Sequence, residues 1–421
     1  MQWRPKWHTM RILHVNKFLY RRGGAEAYML DLAELQRRAG HAVEFFGMRH
    51  AENDPQRYES WFPSQVDLDP VPDSTAQRLA TAGRMVWSTS ARRGIARTID
   101  DFRPDVVHFH NIYHQLSPSI LGAAARRQCA TVLTLHDYKL ACPTHNFLRD
   151  SRPCEECLGG HFSAVVRHRC QGGSAAASAL LAVEMSLHSW FRAYDPVQTF
   201  VCPSTFLRGR MEAAGVFPDR LETLPHFVDV ASLTPRSAPG AGVFYAGRLS
   251  DEKGVDVLVR AAGLLPPGTS VRIAGDGPER DRLDALAETC APGRIEFLGR
   301  ITRSEVLEEM RRSELVALPS RCYENQPIAV LEAFGLGVPV VGSRLGGVPE
   351  LITPGVTGAL AEPNDHESLA AALGSLLGNP DRSMECGAAA RRFVEDGFSS
   401  TEHLRRLDAV YERGVAARRS R

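Results

Sequence analysis

No stretch of the chain approaches the ~18 uninterrupted apolar residues of a membrane-spanning helix, which argues against a spanning segment. The first ten residues, MQWRPKWHTM, lack the apolar centre of a signal peptide, and Met10 is a second candidate start because MRILHV leads straight into an apolar strand. Without an export signal the chain is expected in the cytoplasm, with its nine cysteines reduced. A formal net charge of +1 gives no general attraction for nucleic acid. There is no Walker A loop at the one Gly-rich basic turn, because no Lys-Ser/Thr follows a G-x4-G spacing. The nicotinamide-type glycine fingerprint is incomplete: Pro278 interrupts Gly275-Asp276-Gly277, and Arg280 stands at the third glycine position. A DxD occurs only as Asp67-Leu68-Asp69 in a Pro-containing loop, so no catalytic metal is expected.

What remains is a globular chain of 421 residues, 43% apolar and 24% charged, long enough for two cores of about 200 residues each. Residues 1–200 carry a formal charge of +5 and the remainder −4, which points to different partners for the two halves. In the first half, short apolar runs at 11–15, 43–46, 105–110 and 130–136 alternate with helical patterns, as does the set at 199–202, 243–246, 271–274, 295–298 and 315–318 further on. This alternation predicts parallel sheets with helices on both faces, and ligands in such sheets sit beyond the carboxyl ends of the strands.

The densest punctuation lies at 319–350, PSRCYENQPIAVLEAFGLGVPVVGSRLGGVPE, which reads as loop, helix, turn, strand and loop. Glu324 stands just before the helix and Glu332 inside it, eight positions apart. A helix N-terminus attracts phosphate, so carboxylates beside it need another task, such as hydrogen-bonding sugar or ribose hydroxyls. On their own the two glutamates read equally well as a terminal charge and a solvated helix face.

The stretch resembles the E-x7-E motif of the retaining glycosyltransferases of family 4, which have the two-domain GT-B fold. The resemblance implies that Glu324 contacts a donor sugar and Glu332 the nucleotide ribose, with Asn325 and Gln326 lining the donor site; the continuation Asn325-Gln326-Pro327 differs from many members and bears on sugar preference. It extends to Gly23-Gly24 at the start of a helix, a loop that closes over the donor diphosphate, and to His136 at a strand end, which reaches the sugar or the leaving phosphate. His110 and Asp137 are weaker candidates nearby. The segment Gly247-Arg248-Leu249-Ser250-Asp251-Glu252-Lys253-Gly254 matches the family's GR-x4-KG, which places Arg248 and Lys253 on the donor phosphates. Gly275 and Gly277 correspond to a turn that borders the nucleotide. Outside that context a glycine pair, a strand-end histidine or a basic turn reads as ordinary loop structure.

Two features stand apart. Cys142, Cys154, Cys157 and Cys170 make a C-x11-C-x2-C-x12-C pattern, the spacing of a four-thiolate structural zinc site that would staple an insert too short for its own core. His145, His161 or His168 could replace a ligand, and unligated reduced thiols are the alternative. Residues 86–102, with Arg84, Arg92, Arg93 and Arg97 around Val86, Ile95, Ile99 and Phe102, read as one basic amphipathic helix, suited to covering a sheet or to an anionic bilayer surface.

The expected architecture is α/β, of GT-B type: two doubly wound Rossmann-like domains facing a central cleft. The first spans 1–225 with the Cys-rich insert at 138–175, the second 226–400, and 401–421 form a helix that crosses back; residues 221–228 and 231–241 read as linker. The function implied is retaining transfer of a sugar from a UDP- or GDP-sugar to a glycan or lipid-linked acceptor, in the cytoplasm or at the inner membrane face, in cell-surface polysaccharide or glycolipid synthesis. The alternatives are a sugar-nucleotide 2-epimerase on the same fold and a non-catalytic nucleotide-sugar-binding subunit.

Overall fold

The computed structural model describes residues 9–65 and 74–419; the Asp67 and Asp69 pair lies outside them. The first sheet contains β1 (Arg11–Val15), β2 (Ala42–Phe46), β3 (Val106–Phe109) and β4 (Ala130–Thr134), then, after a small hairpin of β5 (Leu148–Arg149) and β6 (Arg152–Pro153), β7 (Thr199–Cys202) and β8 (Leu221–Thr223). Its order is β2-β1-β3-β4-β7-β8, and every pairing is parallel. Continuous apolar strands such as β3 and β4, buried along their whole length, are what a sheet covered on both faces requires. Around it lie α1 (Gly24–Arg38), α2 (Thr75–Val86), α3 (Thr89–Phe102), α4 (Leu121–Arg126), α5 (Ser163–Arg167), α6 (Ala175–Trp190) and α7 (Thr205–Ala213).

The second sheet runs through β9 (Val243–Ala246), β10 (Val271–Ala274), β11 (Ile295–Gly299), β12 (Leu315–Leu318), β13 (Val340–Ser343) and β14 (Gly358–Ala361), in the parallel order β11-β10-β9-β12-β13-β14. Its helices are α8 (Val255–Ala262), α9 (Arg280–Cys290), α10 (Arg303–Arg312), α11 (Ile328–Gly335), α12 (His366–Gly374) and α13 (Pro380–Gly397). The strand order reverses between β1 and β3 in the first sheet and between β9 and β12 in the second. These are the switch points where open α/β sheets leave a crevice for ligands.

The last helix, α14 (Ser400–Arg419), packs against β4, β3 and α1 of the first sheet. It buries Leu407, Val410 and Tyr411 in the first core. Each such side chain contributes about 1.5–3 kcal/mol by leaving water. Among the described residues no helix is long and apolar enough to cross a membrane.

Three elements differ from the sequence reading. The basic segment 86–102 is two helices: α2 ends at Val86, and buried Ser88 caps α3 by accepting from the Ala91 N–H at 3.2 Å. Leu221–Thr223, read as linker, is the edge strand β8, held because Phe200 pairs with Leu221 and Leu221 is buried. The strand expected from Val338 begins at Val340, since Pro339 cannot donate to a ladder and contributes only its carbonyl, to the Val316 N–H at 3.1 Å.

Candidate active site

The loops that follow β9 and β12 meet at the second switch point. Lys253 Nζ lies 2.7 Å from Glu324 Oε1, and the Ser320 hydroxyl donates to the same oxygen at 2.6 Å. Burial would raise the Glu324 carboxyl, but the Lys253 ammonium and the Ser320 bond outweigh it and hold it below its usual range. Burial likewise opposes the charge on Lys253, and Glu324 more than restores it, so the two form an ionised pair. Arg248 is different. Its side chain is exposed and has no hydrogen-bond or ion-pair partner among the described residues, while its carbonyl accepts from the Tyr245 hydroxyl at 3.2 Å. One fixed cation and one free cation thus share the mouth of this crevice.

Gly275 and Gly277 explain how the Arg248 loop is held. A Cβ on Gly275, at φ +134°, would stand 1.9 Å from the Gly247 carbonyl oxygen, and one on Gly277 2.2 Å from that of Leu249. Glu332, on α11, receives Arg303 Nη2 at 2.9 Å; burial pushes its carboxyl up, with Arg303 offsetting part of that. Arg303 also reaches Asp31 on α1 at 3.4 Å, so it links the two halves.

Across the crevice, Gly23 precedes α1 and Gly24 opens it. Neither needs glycine for its backbone: Gly23 is extended at φ −162° and Gly24 is helical, and an added Cβ would meet nothing closer than 3.5 Å. The pair leaves open ground facing α11, where Ile328 is the neighbour of Gly24. His136 stands just beyond β4, its Nε2 3.0 Å from His110 Nδ1 and its ring stacked on His226 at 5.4 Å. Burial lowers its pKa to about 3, so it is neutral. Asp137 is pushed up to about 6 by burial, against the Lys139 N–H and the Lys17 and Lys139 cations, and accepts from the Tyr113 hydroxyl. Asn325 and Gln326 spend their amides on the first half. Asn325 donates to the Leu135 carbonyl at 3.0 Å and accepts from the Ser204 hydroxyl at 2.7 Å, and Gln326 accepts from the His226 N–H. The structure therefore gathers His136, Arg248, Lys253, Glu324, Glu332 and the glycine pair around one cleft, and ties its walls together through Asn325 and Gln326.

Residues 22–232 match the family profile described as Glycosyltransferase Family 4, and residues 239–393 the one described as Glycosyl transferases group 1. The chain belongs to glycosyltransferase family 4. It is similar to the glycogen synthase of Mycobacterium tuberculosis, 36% identical over 172 residues, which are 40% of this chain and 41% of that one. It is also similar to the GDP-mannose-dependent alpha-(1-6)-phosphatidylinositol monomannoside mannosyltransferase of Mycolicibacterium smegmatis, 32% identical over 224 residues, 48% of this chain and 58% of that one. The chain spans about half the length of these curated relatives. Among solved structures, sucrose-phosphate synthase from Thermosynechococcus elongatus superposes with a TM-score of 0.72 at 19% identity, over 97% of this chain and 100% of that one. The HepE protein of Anabaena, crystallised with UDP-glucose, does so with a TM-score of 0.65 at 18% identity, over 96% and 99%. At these identities the likeness establishes the fold, two Rossmann-like domains in the GT-B arrangement.

On this family 4 frame the cysteine insert reaches over the cleft. The Ser151 hydroxyl donates to Asp251 at 2.9 Å, Asn364 donates to the Ser151 carbonyl at 2.7 Å, and Tyr323 donates to Glu155 at 2.9 Å. Asp251 and Tyr323 are near neighbours in sequence of Lys253 and Glu324, so the strap lands on the loops that carry them. Cys142, Cys154, Cys157 and Cys170 converge beneath it: burial raises the Cys157 thiol to about 12, and the other three raise it further. No three of these thiols lie within 4.8 Å of one another; among the described residues that spacing is met only by His14, His108 and His110. Sequence reasoning missed Glu184 on α6, which anchors the insert from behind by taking Lys139 at 2.9 Å and His114 at 3.2 Å. A lone glutamate in an apolar run was the available signal.

The histidines around the cleft carry a pH prediction. Burial lowers His14 to about 4, His136 to about 3 and His403 to about 4, and places His108, His110 and His226 well below the ordinary value near 6.5. The unfolded chain takes up these protons first as pH falls. Their stabilisation is therefore present above about 6.5 and lost as pH drops toward the folded values, by up to about 1.4 kcal/mol per pH unit for each group. Asp137 acts oppositely: its contribution is complete below about 3.9 and lost as pH rises through about 6. The net expectation is a melting temperature that falls steeply once pH drops below about 6.5. A melting temperature that stays flat down to about pH 4.5 would mean these rings are not buried neutral.

Proposed function

We propose that this chain is a retaining glycosyltransferase that moves a sugar from a nucleotide-diphosphate sugar to a hydroxyl of a glycan or lipid-linked acceptor, in cell-surface polysaccharide or glycolipid synthesis. The observation that carries this reading is the Lys253–Glu324 pair beside the free Arg248 guanidinium, facing His136 and the open Gly23-Gly24 turn. Arg248 and Lys253 take the donor diphosphate and stabilise it as it leaves. Glu324 holds the sugar, Glu332 the ribose, His136 a sugar hydroxyl or the phosphate, and the 275–277 turn keeps the Arg248 loop against the nucleotide. Asn325 and Gln326 bear on the donor by fixing the wall that Glu324 and His136 share. Retention follows from a same-face displacement: the C1–O bond to the diphosphate breaks, the acceptor oxygen bonds to C1 from the same side, and its proton passes to the departing phosphate oxygen. The neutralisation of Glu324 by Lys253 argues against a glutamate nucleophile at that position. The GDP-mannose dependence of one relative and the UDP-glucose bound to a structural neighbour favour GDP- or UDP-sugars.

The test is incubation of the protein with UDP-, GDP- and ADP-sugars, with and without membrane lipid extract, reading nucleotide release and the fate of the sugar. Release that depends on one donor and rises with extract supports the transferase. Release with an epimerised free sugar supports the epimerase instead, and binding without release a non-catalytic subunit.

Contact with the inner membrane face is part of the proposal. Trp87, Val183, Trp190 (77% exposed) and Phe191 (63%) are exposed where α2 and α6 meet, joined by a 2.8 Å bond from His188 to the Val86 carbonyl. Exposed Arg92, Arg93 and Arg192 flank them. Aromatic side chains rimmed by arginine suit an anionic headgroup layer.

Cys142, Cys154, Cys157 and Cys170 hold a structural zinc ion that sets the strap. Five of the chain's twelve described non-glycine residues with positive φ, namely His145, Phe147, Asp150, Ser151 and Arg169, fall in this insert, whose own apolar cluster is small. A metal drawing in four thiolates offsets that strain. Purified protein should carry about one zinc per chain, and Cys157→Ser should lower both zinc content and melting temperature. Metal-free protein from zinc-supplemented medium, with a melting temperature indifferent to chelator, contradicts the site.

A further inference from the structure

Behind His136 runs a file of buried polar groups that the proposed chemistry does not use. Gln36 on α1 accepts from His14 Nε2 at 2.7 Å; His14 Nδ1 faces His110 Nε2 at 3.0 Å; His110 Nδ1 faces His136 Nε2 at 3.0 Å. The other arm of Gln36 donates to the Tyr411 hydroxyl at 3.2 Å, Tyr411 lies 2.7 Å from His108 Nδ1, and His108 Nε2 lies 2.7 Å from the Thr134 hydroxyl. His14, His108, His110 and Gln36 are fully or almost fully buried, so no water competes for these positions.

The proton count along the file has a direct consequence. A neutral imidazole has one N–H and one lone pair. Burial depresses the pKa of each of these rings, so each carries one proton at neutral pH. With the Gln36 oxygen toward His14, His14 must hold its proton on Nε2 and accept on Nδ1. His110 must then donate from Nε2 and accept on Nδ1, and His136 must donate from Nε2. The Tyr411 branch is consistent with the same direction: Gln36 donates to Tyr411, Tyr411 to His108, and His108 to Thr134. Each link has one donor and one acceptor, and reversing the amide of Gln36 would reverse every link.

We propose that Gln36, His14 and His110 are positioning residues that fix the tautomer of His136 in series, so that His136 presents an unprotonated Nδ1 to the cleft. Among the described residues that nitrogen has no partner, and it is the atom left to meet a ligand. This rests on the transferase reading for the identity of the ligand: a bare Nδ1 accepts from a donor-sugar hydroxyl and cannot donate to the leaving phosphate, which narrows the two tasks open to His136 to one. It also gives α14 a task, because Tyr411 sets the amide orientation from 375 residues away in sequence.

The test is long-range proton–nitrogen NMR of the full chain labelled with 15N-histidine, which reads ring tautomers without any turnover. The expected spectrum has His136 protonated on Nε2 and bare on Nδ1. In Gln36→Leu, which cannot accept, the Nδ1 signal should move toward the protonated position; in Gln36→Glu, which keeps an acceptor oxygen, it should stay. Should Gln36→Leu not fold, Tyr411→Phe removes the hydroxyl that orients the amide and should produce the same mixing. A wild-type His136 protonated on Nδ1 overturns the proposal, as does a signal that ignores every one of these variants. In the same variants kcat/KM for the donor should fall by up to about tenfold with Leu and recover with Glu, the scale of one hydrogen bond. Tautomers that respond while kcat/KM does not would leave the file standing and reject the sugar contact of the transferase reading.

Discussion

Replacing Arg248 with alanine is expected to lower kcat about 10²–10³-fold while leaving the melting temperature where it is. The two halves of that expectation have separate origins. An oriented donor at the place where charge develops is worth several kcal/mol only in the transition state, because the departing diphosphate carries more charge than the bound one. The guanidinium is exposed and has no partner among the described residues, so the resting protein loses nothing with it. Arg248→Lys should recover part of the rate, since an ammonium supplies charge but not two parallel bonds. Equal kcat for Arg248→Ala and wild type would remove leaving-group stabilisation by this loop.

Glu324→Ala should behave differently, with a comparable loss of turnover and a loss of stability. Breaking a buried ion pair costs about 3–5 kcal/mol, and the partial exposure of Lys253 reduces the expectation here to about 1–3 kcal/mol. Lys253 keeps 30% of its side chain open, through which water can replace part of the lost carboxylate. The double variant Lys253→Met/Glu324→Leu separates the two roles. Removing both charges together leaves no stranded ion, so stability should return toward wild type while turnover stays lost. Denaturant melts and donor kinetics on the three variants give the coupling energy. A double variant as unstable as Glu324→Ala would mean that the loop needs the charges for its shape.

These expectations rest on loops whose positions could be read without coordinates, and the reason is specific. The runs before Gly23, Arg248 and Glu324 are short and β-branched, and each ends at glycine, proline or a polar turn, so strand ends and the residues beyond them were legible. The alternation of strands and helices fixed the parallel sheets in the same way. What it could not carry was pairing between distant segments. Nothing near Tyr411 announces Gln36 or His108, and nothing near Glu332 announces Arg303, because such contacts arise only when α14 and α10 dock. The break at Ser88 was hidden because the arginine spacing of 84–97 continues an amphipathic pattern through a residue that caps rather than continues the helix. Edge strand β8 was hidden because three residues ahead of a proline look like linker. Gly275 and Gly277 were visible as glycines, but that they make room for the carbonyls of Gly247 and Leu249 is a fact of packing.

The most direct test of retaining transfer at this cleft is the configuration of the new bond. Once the donor panel has named a substrate, the anomeric proton of the product can be followed by NMR from the first turnovers. The account predicts a glycosidic bond with the same anomeric configuration as the donor, formed in step with nucleoside diphosphate release. A product of opposite configuration would contradict it.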